Sequence, residues 1–196
     1  MKNSTKKEIK AWLILAAIQL SWIIPCGYAY IHQEAIEEEV TIAPMQIEAT
    51  YKTNEVAFYD VPLSEELQMH IFAECEARNI APAIIIAIIE RESNYKPDAI
   101  GDDGESFGLM QIQEKFHKER MERLECNNLL DSYQNIKVGI DIIDELAKED
   151  PDLYFVLMAY NGGRNYANEN ISNGIVSEYA REVAARSSEL TEYIEN

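Results

Sequence analysis

From residue 62 onward the apolar side chains recur at helical spacing. Leu67, Ile71 and Cys75 follow one another every four residues, with Arg78 continuing the line, behind Ser64 as N-cap and Glu65 and Glu66 at the positive end of the helix dipole. The pattern predicts a first helix that ends near Asn79. Pro82 at a first helical position opens a second, and Ile84-Ile85-Ile86-Ala87-Ile88-Ile89 is apolar on nearly every side, as in a helix buried all round. Glu92 lies four residues beyond Ile88 and shares its face, which sets the carboxyl at the edge of the core. Lys96-Pro97 marks a stop, and Gly101-Asp102-Asp103-Gly104 is a turn-rich loop suited to a short β-hairpin.

Four more helical patterns follow. His117 to Leu124 fits a short helix. Ile136, Ile140, Ile143 and Ala147 form an amphipathic stripe that ends before Pro151. Leu153, Val156, Leu157 and Tyr160 form another, opened by Pro151 and stopped by Gly162-Gly163. Val176, Tyr179, Ala180 and Val183 make the last. Strand signals are scarce and no internal repeat is visible. The expected fold class is α+β, predominantly α-helical, with a small or vestigial β-hairpin region.

The first thirty residues differ in kind. Lys2, Lys6, Lys7 and Lys10 precede an apolar stretch from Ala11 to Ile24 broken only by Gln19 and Ser21, the basic-then-apolar order of an export segment. Gly27-Tyr28-Ala29 supplies small residues for cleavage, while counting on to Ile31 gives the length needed to cross a bilayer. Residues 1–31 are therefore read as a signal peptide or an N-terminal transmembrane anchor, with the remainder facing outward in both cases. Residues 32–61, with Glu34, Glu37, Glu38 and Glu39 and no sustained period, are read as an acidic linker. The domain itself is expected over residues 62–190, followed by a C-terminal tail at 191–196.

Length and composition agree with one domain plus appendages: 196 residues, 47% hydrophobic and 27% charged. The balance of 35 acidic against 17 basic residues gives a net charge of −18. Loss of residues 1–29 removes four Lys and Glu8, so the charge becomes −18 − 3, or −21. That field is wrong for gripping phosphates, and nucleic acid is excluded as a partner. Cys26 follows Pro25 where a lipid-attachment site wants a small residue. Cys75 and Cys126 suit either a disulfide or two separately buried thiols. His32, His70 and His117 are scattered, and the acids between Asp98 and Glu105 lack the alternate spacing of a calcium loop. With no phosphate-binding glycine loop and no Ser-His-Asp set, no metal and no cofactor is implied.

Glu92 is the candidate catalytic acid. A carboxyl at the end of a buried helix loses solvation in its charged form, which raises its pKa and lets it keep a proton near neutral pH. The plainer alternative is a helix-terminal charge paired with Arg91. Ser93 is read as helping to end the helix, and Ser106 as a donor that orients the Glu92 carboxyl.

Three strings in order decide between these readings: Glu92-Ser93, Gly108-Leu109-Met110-Gln111-Ile112, and Ala159-Tyr160-Asn161-Gly162-Gly163. Together they resemble the lytic transglycosylase (SLT) family, which shares the lysozyme-like fold, over roughly residues 64–186. Tyr179-Ala180-Arg181-Glu182-Val183 resembles the Tyr-containing segment that closes the family's domain. The resemblance implies cleavage of the β-1,4 bond between N-acetylmuramic acid and N-acetylglucosamine in peptidoglycan, leaving a 1,6-anhydro ring. Glu92 would be acid toward the glycosidic oxygen and then base toward the C6 hydroxyl. Met110 and Gln111 match a cleft-lining pair, Tyr160 a position beside the carboxyl, Asn161 the same cleft, and Tyr179 a further site residue.

The implied partners are peptidoglycan glycan strands and, through residues 11–31, a membrane. The implied location is extracytoplasmic, in the cell envelope, anchored or secreted; the oligomeric state stays open. The loop between the first two strings departs from simpler members, because Asp98, Asp102, Asp103 and Glu105 crowd it with acids. One of them acting as a second carboxylate would make a hydrolysing muramidase. A non-catalytic glycan-binding or envelope-assembly module is the rival from another class.

Overall fold

A computed structural model describes residues 57–195. The export segment, Cys26 and the linker up to residue 56 lie outside them. Seven α-helices and one two-stranded hairpin make up the described residues: α1 (Glu65–Glu76), α2 (Pro82–Ser93), β1 (Ile100–Gly101), β2 (Ser106–Phe107), α3 (Glu114–Arg123), α4 (Ser132–Glu149), α5 (Leu153–Gly162), α6 (Arg164–Ser172) and α7 (Glu178–Glu195). The fold is α+β and predominantly helical, as the periodicity predicts.

Helix α2 is the centre. Every residue from Ala83 to Ile89 is buried, and the helix packs most extensively on α7 and also on α1. α5 packs on α4, α6 and α7, and α1 packs on α4, so the core is a shell of helices around one apolar rod. Three helices begin on side-chain caps: Ser64 Oγ accepts from Leu67 N at 3.3 Å, Asp131 from Gln134 N at 3.0 Å and Asp152 from Phe155 N at 3.0 Å.

The fold begins earlier than Pro62. Tyr59 is buried, and the buried Gln68 of α1 accepts from Tyr59 N at 2.9 Å while donating to the Tyr59 and Leu63 carbonyls, each at 3.1 Å. Phe58 and Tyr59 also lie against Phe72, with ring centroids 6.1 and 6.0 Å away. The other end differs as well. Residues 191–195 continue α7 and do not form a tail, since Leu190 is still in the core and nothing interrupts the helix.

Helix boundaries shift for physical reasons. α2 stops at Ser93, before Lys96-Pro97, because Asn94 and Tyr95 both take left-handed backbone (φ 49° and 63°). α5 starts at Leu153 on the Asp152 cap, so Pro151 precedes the helix and does not open it. α6 has no forerunner in the apolar pattern. Its sequence is polar, with Ala167 as its one buried residue, and it is held by packing on α5. Cys75 and Cys126 are both free and buried, which settles the question of a disulfide. Within residues 57–195 no helix is long and apolar enough to cross a membrane; the apolar stretch of residues 11–31 falls outside them.

The hairpin follows α2 directly. Ile100 pairs with Phe107 and Gly101 with Ser106 in antiparallel register, around a 3₁₀ turn at Asp102–Gly104. Its return strand is pinned to α4 by Asn135, which is fully buried: Nδ2 donates to Phe107 O at 2.8 Å and Leu129 O at 2.9 Å, while Oδ1 accepts from Met110 N at 2.8 Å. Gly108 makes this close approach possible. It has φ +74°, and a Cβ there would stand 2.3 Å from the Leu129 carbonyl oxygen and 2.5 Å from Asn135 Nδ2. Gly104 also has positive φ (98°), yet a Cβ would meet nothing within 4 Å.

The two glycines therefore separate backbone strain from crowding. Gly104→Ala should cost about 1 kcal/mol and Gly108→Ala about 3 kcal/mol or more. In thermal unfolding, the second should lower Tm several times further than the first. Equal shifts would mean that the packing of Gly108 on Asn135 contributes nothing.

Candidate active site

Glu92 is the penultimate residue of α2, on the last turn of the buried rod. Its sequence neighbours are engaged elsewhere. Glu90 Oε2 accepts from Arg186 Nε at 2.8 Å and Tyr95 Oη at 2.7 Å, and Arg91 Nε pairs with Glu182 at 3.0 Å. The alternative of a Glu92–Arg91 pair is thereby set aside. The direct partner of Glu92 is Tyr179 of α7, whose hydroxyl donates to Oε1 at 2.7 Å. Burial pushes the Glu92 carboxyl above its ordinary value; Tyr179's hydrogen bond and the Arg91 charge pull it back, and the Asp102 charge pushes it up again. The balance is upward.

Tyr179 and Tyr160 flank this carboxyl. Both phenols are pushed well above their ordinary range, first by burial and then by the Glu92 charge, so both stay protonated donors. Tyr160 Oη donates to Met110 O at 2.7 Å, tying α5 to the loop after β2.

A cleft of about 710 Å³ opens beside Glu92, between the hairpin on one side and α3, α4, α5 and the start of α6 on the other. Gln111, Tyr160, Asn161 and Ser106 line it. Two expectations are corrected in detail. Met110 is fully buried and forms no part of the cleft wall, because its sulfur fills the slot left by Gly139, where a Cβ would come within 2.2 Å of it. Ser106 Oγ donates to Asp102 Oδ2 at 2.5 Å and not to Glu92, since Asp102 opens the 3₁₀ turn directly after Gly101, the strand partner of Ser106. Gln111 reaches the cleft, but its Nε2 is committed to Ala99 O at 3.2 Å and Gly108 O at 2.9 Å, so the amide straps the loop.

Of the four loop acids, Asp102 alone lines the cleft. Asp98 and Asp103 are exposed, and Glu105 pairs with Lys115. Gln113 Nε2 donates to Asp102 Oδ2 at 2.9 Å and Ser106 Oγ at 3.1 Å, which fixes the Asp102 carboxylate.

Sequence reasoning missed the opposite wall, where Phe116, His117, Arg120, Glu145 and Arg164 stand. Ion pairs bind it together: Arg120 to Asp141 at 3.1 Å, and Arg164 to Glu145 at 2.5 Å and to Glu149 at 2.6 Å. His117 is pushed down to about 4 by burial and then by the Arg120 charge, so it meets the cleft as a neutral imidazole. Glu145 sits on the polar side of the α4 stripe, and the others sit on α3 and α6, which carry no apolar stripe to follow. Among the described residues no group of three or more His, Cys, Asp and Glu side chains is arranged to hold a metal ion.

A family model for the transglycosylase SLT domain matches residues 69–180, more than half of the chain. The chain belongs to that family. The chain is also 32% identical over 124 residues to lysozyme g of Gallus gallus, an alignment covering 57% of this chain and 57% of that protein. By structure it resembles an inactive mutant of the lytic transglycosylase Slt from Pseudomonas aeruginosa, with a TM-score of 0.60 at 17% identity, over 68% of this chain and 25% of that one. It resembles equally the 70 kDa soluble lytic transglycosylase of Escherichia coli, with a TM-score of 0.59 at 18% identity, over 69% of this chain and 25% of that one. The chain thus spans little over half of the curated relative and a quarter of the two solved structures; the likeness to the latter is one of lysozyme-like fold.

The signs of the Glu92 interactions make a pair of opposed predictions. A group that acts as an acid works below its pKa, so kcat/KM on cell-wall glycan should fall as pH rises through the Glu92 value. Tyr179→Phe removes a donor that favours the charged form, and the falling limb should move to higher pH. Asp102→Asn removes a neighbouring negative charge, and the limb should move to lower pH. Limbs that move in the same direction, or do not move, would detach Glu92 from the profile.

Proposed function

We propose that this chain is a peptidoglycan lytic transglycosylase with Glu92 as its sole acid and base. The observation that carries the reading is a partly buried carboxyl, pushed above its ordinary value by burial, at the rim of a cleft, hydrogen-bonded by Tyr179 and not paired with the neighbouring Arg91. The names of the structural relatives agree with it. In this reading residues 1–31 act as export signal or anchor and the acidic residues after them, up to residue 56, as a spacer, with the reaction outside the cytoplasm on the cell-envelope glycan.

The chemistry needs one carboxyl. Protonated Glu92 gives its proton to the oxygen linking N-acetylmuramic acid to N-acetylglucosamine, and the bond from that oxygen to C1 breaks. Glu92, now a carboxylate, takes the proton of the muramic C6 hydroxyl, and O6 closes on C1 to form the 1,6-anhydro ring. The acid is restored without water. Burial favours the resting acid, and the Tyr179 hydroxyl stabilises the charge that appears on Glu92 midway. Such positioned proton transfer contributes about 10²- to 10⁴-fold.

Asp102 favours a second reading. It lines the same cleft, its Oδ2 accepts from Ser106 and Gln113, and the chain is related to lysozyme g. As a base toward water it would make the enzyme a hydrolysing muramidase.

Mass spectrometry of muropeptides released from cell walls separates the two. The transglycosylase reading predicts 1,6-anhydromuramic ends, with release reduced by at least about 10²-fold in Glu92→Gln. Reducing muramic ends that disappear in Asp102→Asn would establish the hydrolase. Release that is absent, or indifferent to Glu92→Gln, would leave a glycan-binding module.

A further inference from the structure

We infer that Phe116 is a stacking platform for one pyranose ring of the bound glycan, on the α3 side of the cleft. The inference rests on the reading of that cleft as a glycan site. Phe116 is 72% exposed, the highest value among the exposed large hydrophobics of the described residues, yet it stands in the cleft wall and not on a remote surface. A single exposed apolar side chain is ordinary; a flat aromatic in a cleft otherwise rich in polar groups is a recognition element.

The surroundings hold the ring in place. Lys115 Nζ lies 5.0 Å from the Phe116 ring centroid, and the same ammonium pairs with Glu105 of the hairpin. Phe116 N donates to Gln113 O at 3.1 Å in the first turn of α3, and the helix is distorted at the next residue, His117 (φ −128°, ψ 16°). That distortion marks off the turn carrying Phe116 from the rest of α3.

A hexopyranose has a ligand's complement of these features. One face presents axial C–H groups that are apolar and slightly positive, which suits the negative face of an aromatic ring. Its rim presents hydroxyls and, in cell-wall sugars, an N-acetyl group. The neutral His117 lines the same wall and can meet such groups, as can the Gln113 side-chain carbonyl oxygen, whose amide nitrogen is held by Asp102 and Ser106.

The test uses the full chain carrying Glu92→Gln, titrated calorimetrically with a β-1,4-linked tetramer of N-acetylglucosamine. Adding Phe116→Ala should weaken binding roughly tenfold, and Phe116→Leu should also weaken it because bulk without a flat face does not stack. Phe116→Tyr should stay within about twofold of the parent. The thermal midpoint should not move in any of them, since the side chain is not part of the core. Phe116→Trp adds a reporter: Trp12 and Trp22 both lie outside residues 57–195, so its emission should change when the tetramer is added. An Ala variant that binds like a parent which itself binds the tetramer overturns the inference and leaves the glycan reading standing. A parent that does not bind overturns the glycan reading, and the Phe116 inference with it.

Discussion

A carboxyl's pKa rises when it is drawn partly out of water and the nearest cation is paired elsewhere. Glu92 meets both conditions through α2. The helix is buried along its whole apolar run, so its last turn reaches the cleft from inside the core. Arg91 and Glu90 flank Glu92 but are taken up by Glu182 and Arg186, both on α7. The same helix supplies Tyr179, whose hydroxyl donates to the carboxyl. α7 therefore does three things with one surface: it covers α2, removes the neighbouring charges and presents the phenol.

The rest of the site is hung on backbone. Asn135 bonds the Phe107 and Leu129 carbonyls and the Met110 amide, Gln111 bonds the Ala99 and Gly108 carbonyls, and Tyr160 bonds the Met110 carbonyl. These side chains give buried loop groups the partners that regular structure would otherwise supply. Gly108 is needed because the loop passes so close to α4. The hairpin is too short to be stable alone, and its position over the cleft comes from these ties.

Much of this was legible in the order of residues. Ile84 to Ile89 marks the central helix without any comparison, and Glu92 follows from its place on the Ile88 face. The motifs around Gly108 and Tyr160 point to one cleft. What was not legible depends on three-dimensional pairing. Met110 lies within a cleft motif, but its side chain is claimed by the space over Gly139. Ser106 is close to Glu92 in motif order, but Asp102 is nearer in the turn. Asn135 carried a signal that apolar periodicity overlooks, an amide directly before the first residue of a long amphipathic stripe. α6 lacks an apolar stripe, so pattern reading has nothing to detect. Tyr179 looked like packing because it is both: its ring is buried and its hydroxyl is spent on Glu92.

Burial raises the Glu92 pKa above the ordinary glutamate value. Carbon-13 NMR titration of the side-chain carboxyls, with the Glu92 signal assigned by its loss in Glu92→Gln, measures this directly. The account predicts titration above the ordinary glutamate value of about 4.3, moving higher still in Tyr179→Phe. A Glu92 carboxyl that titrates at or below that value in the folded protein would contradict it.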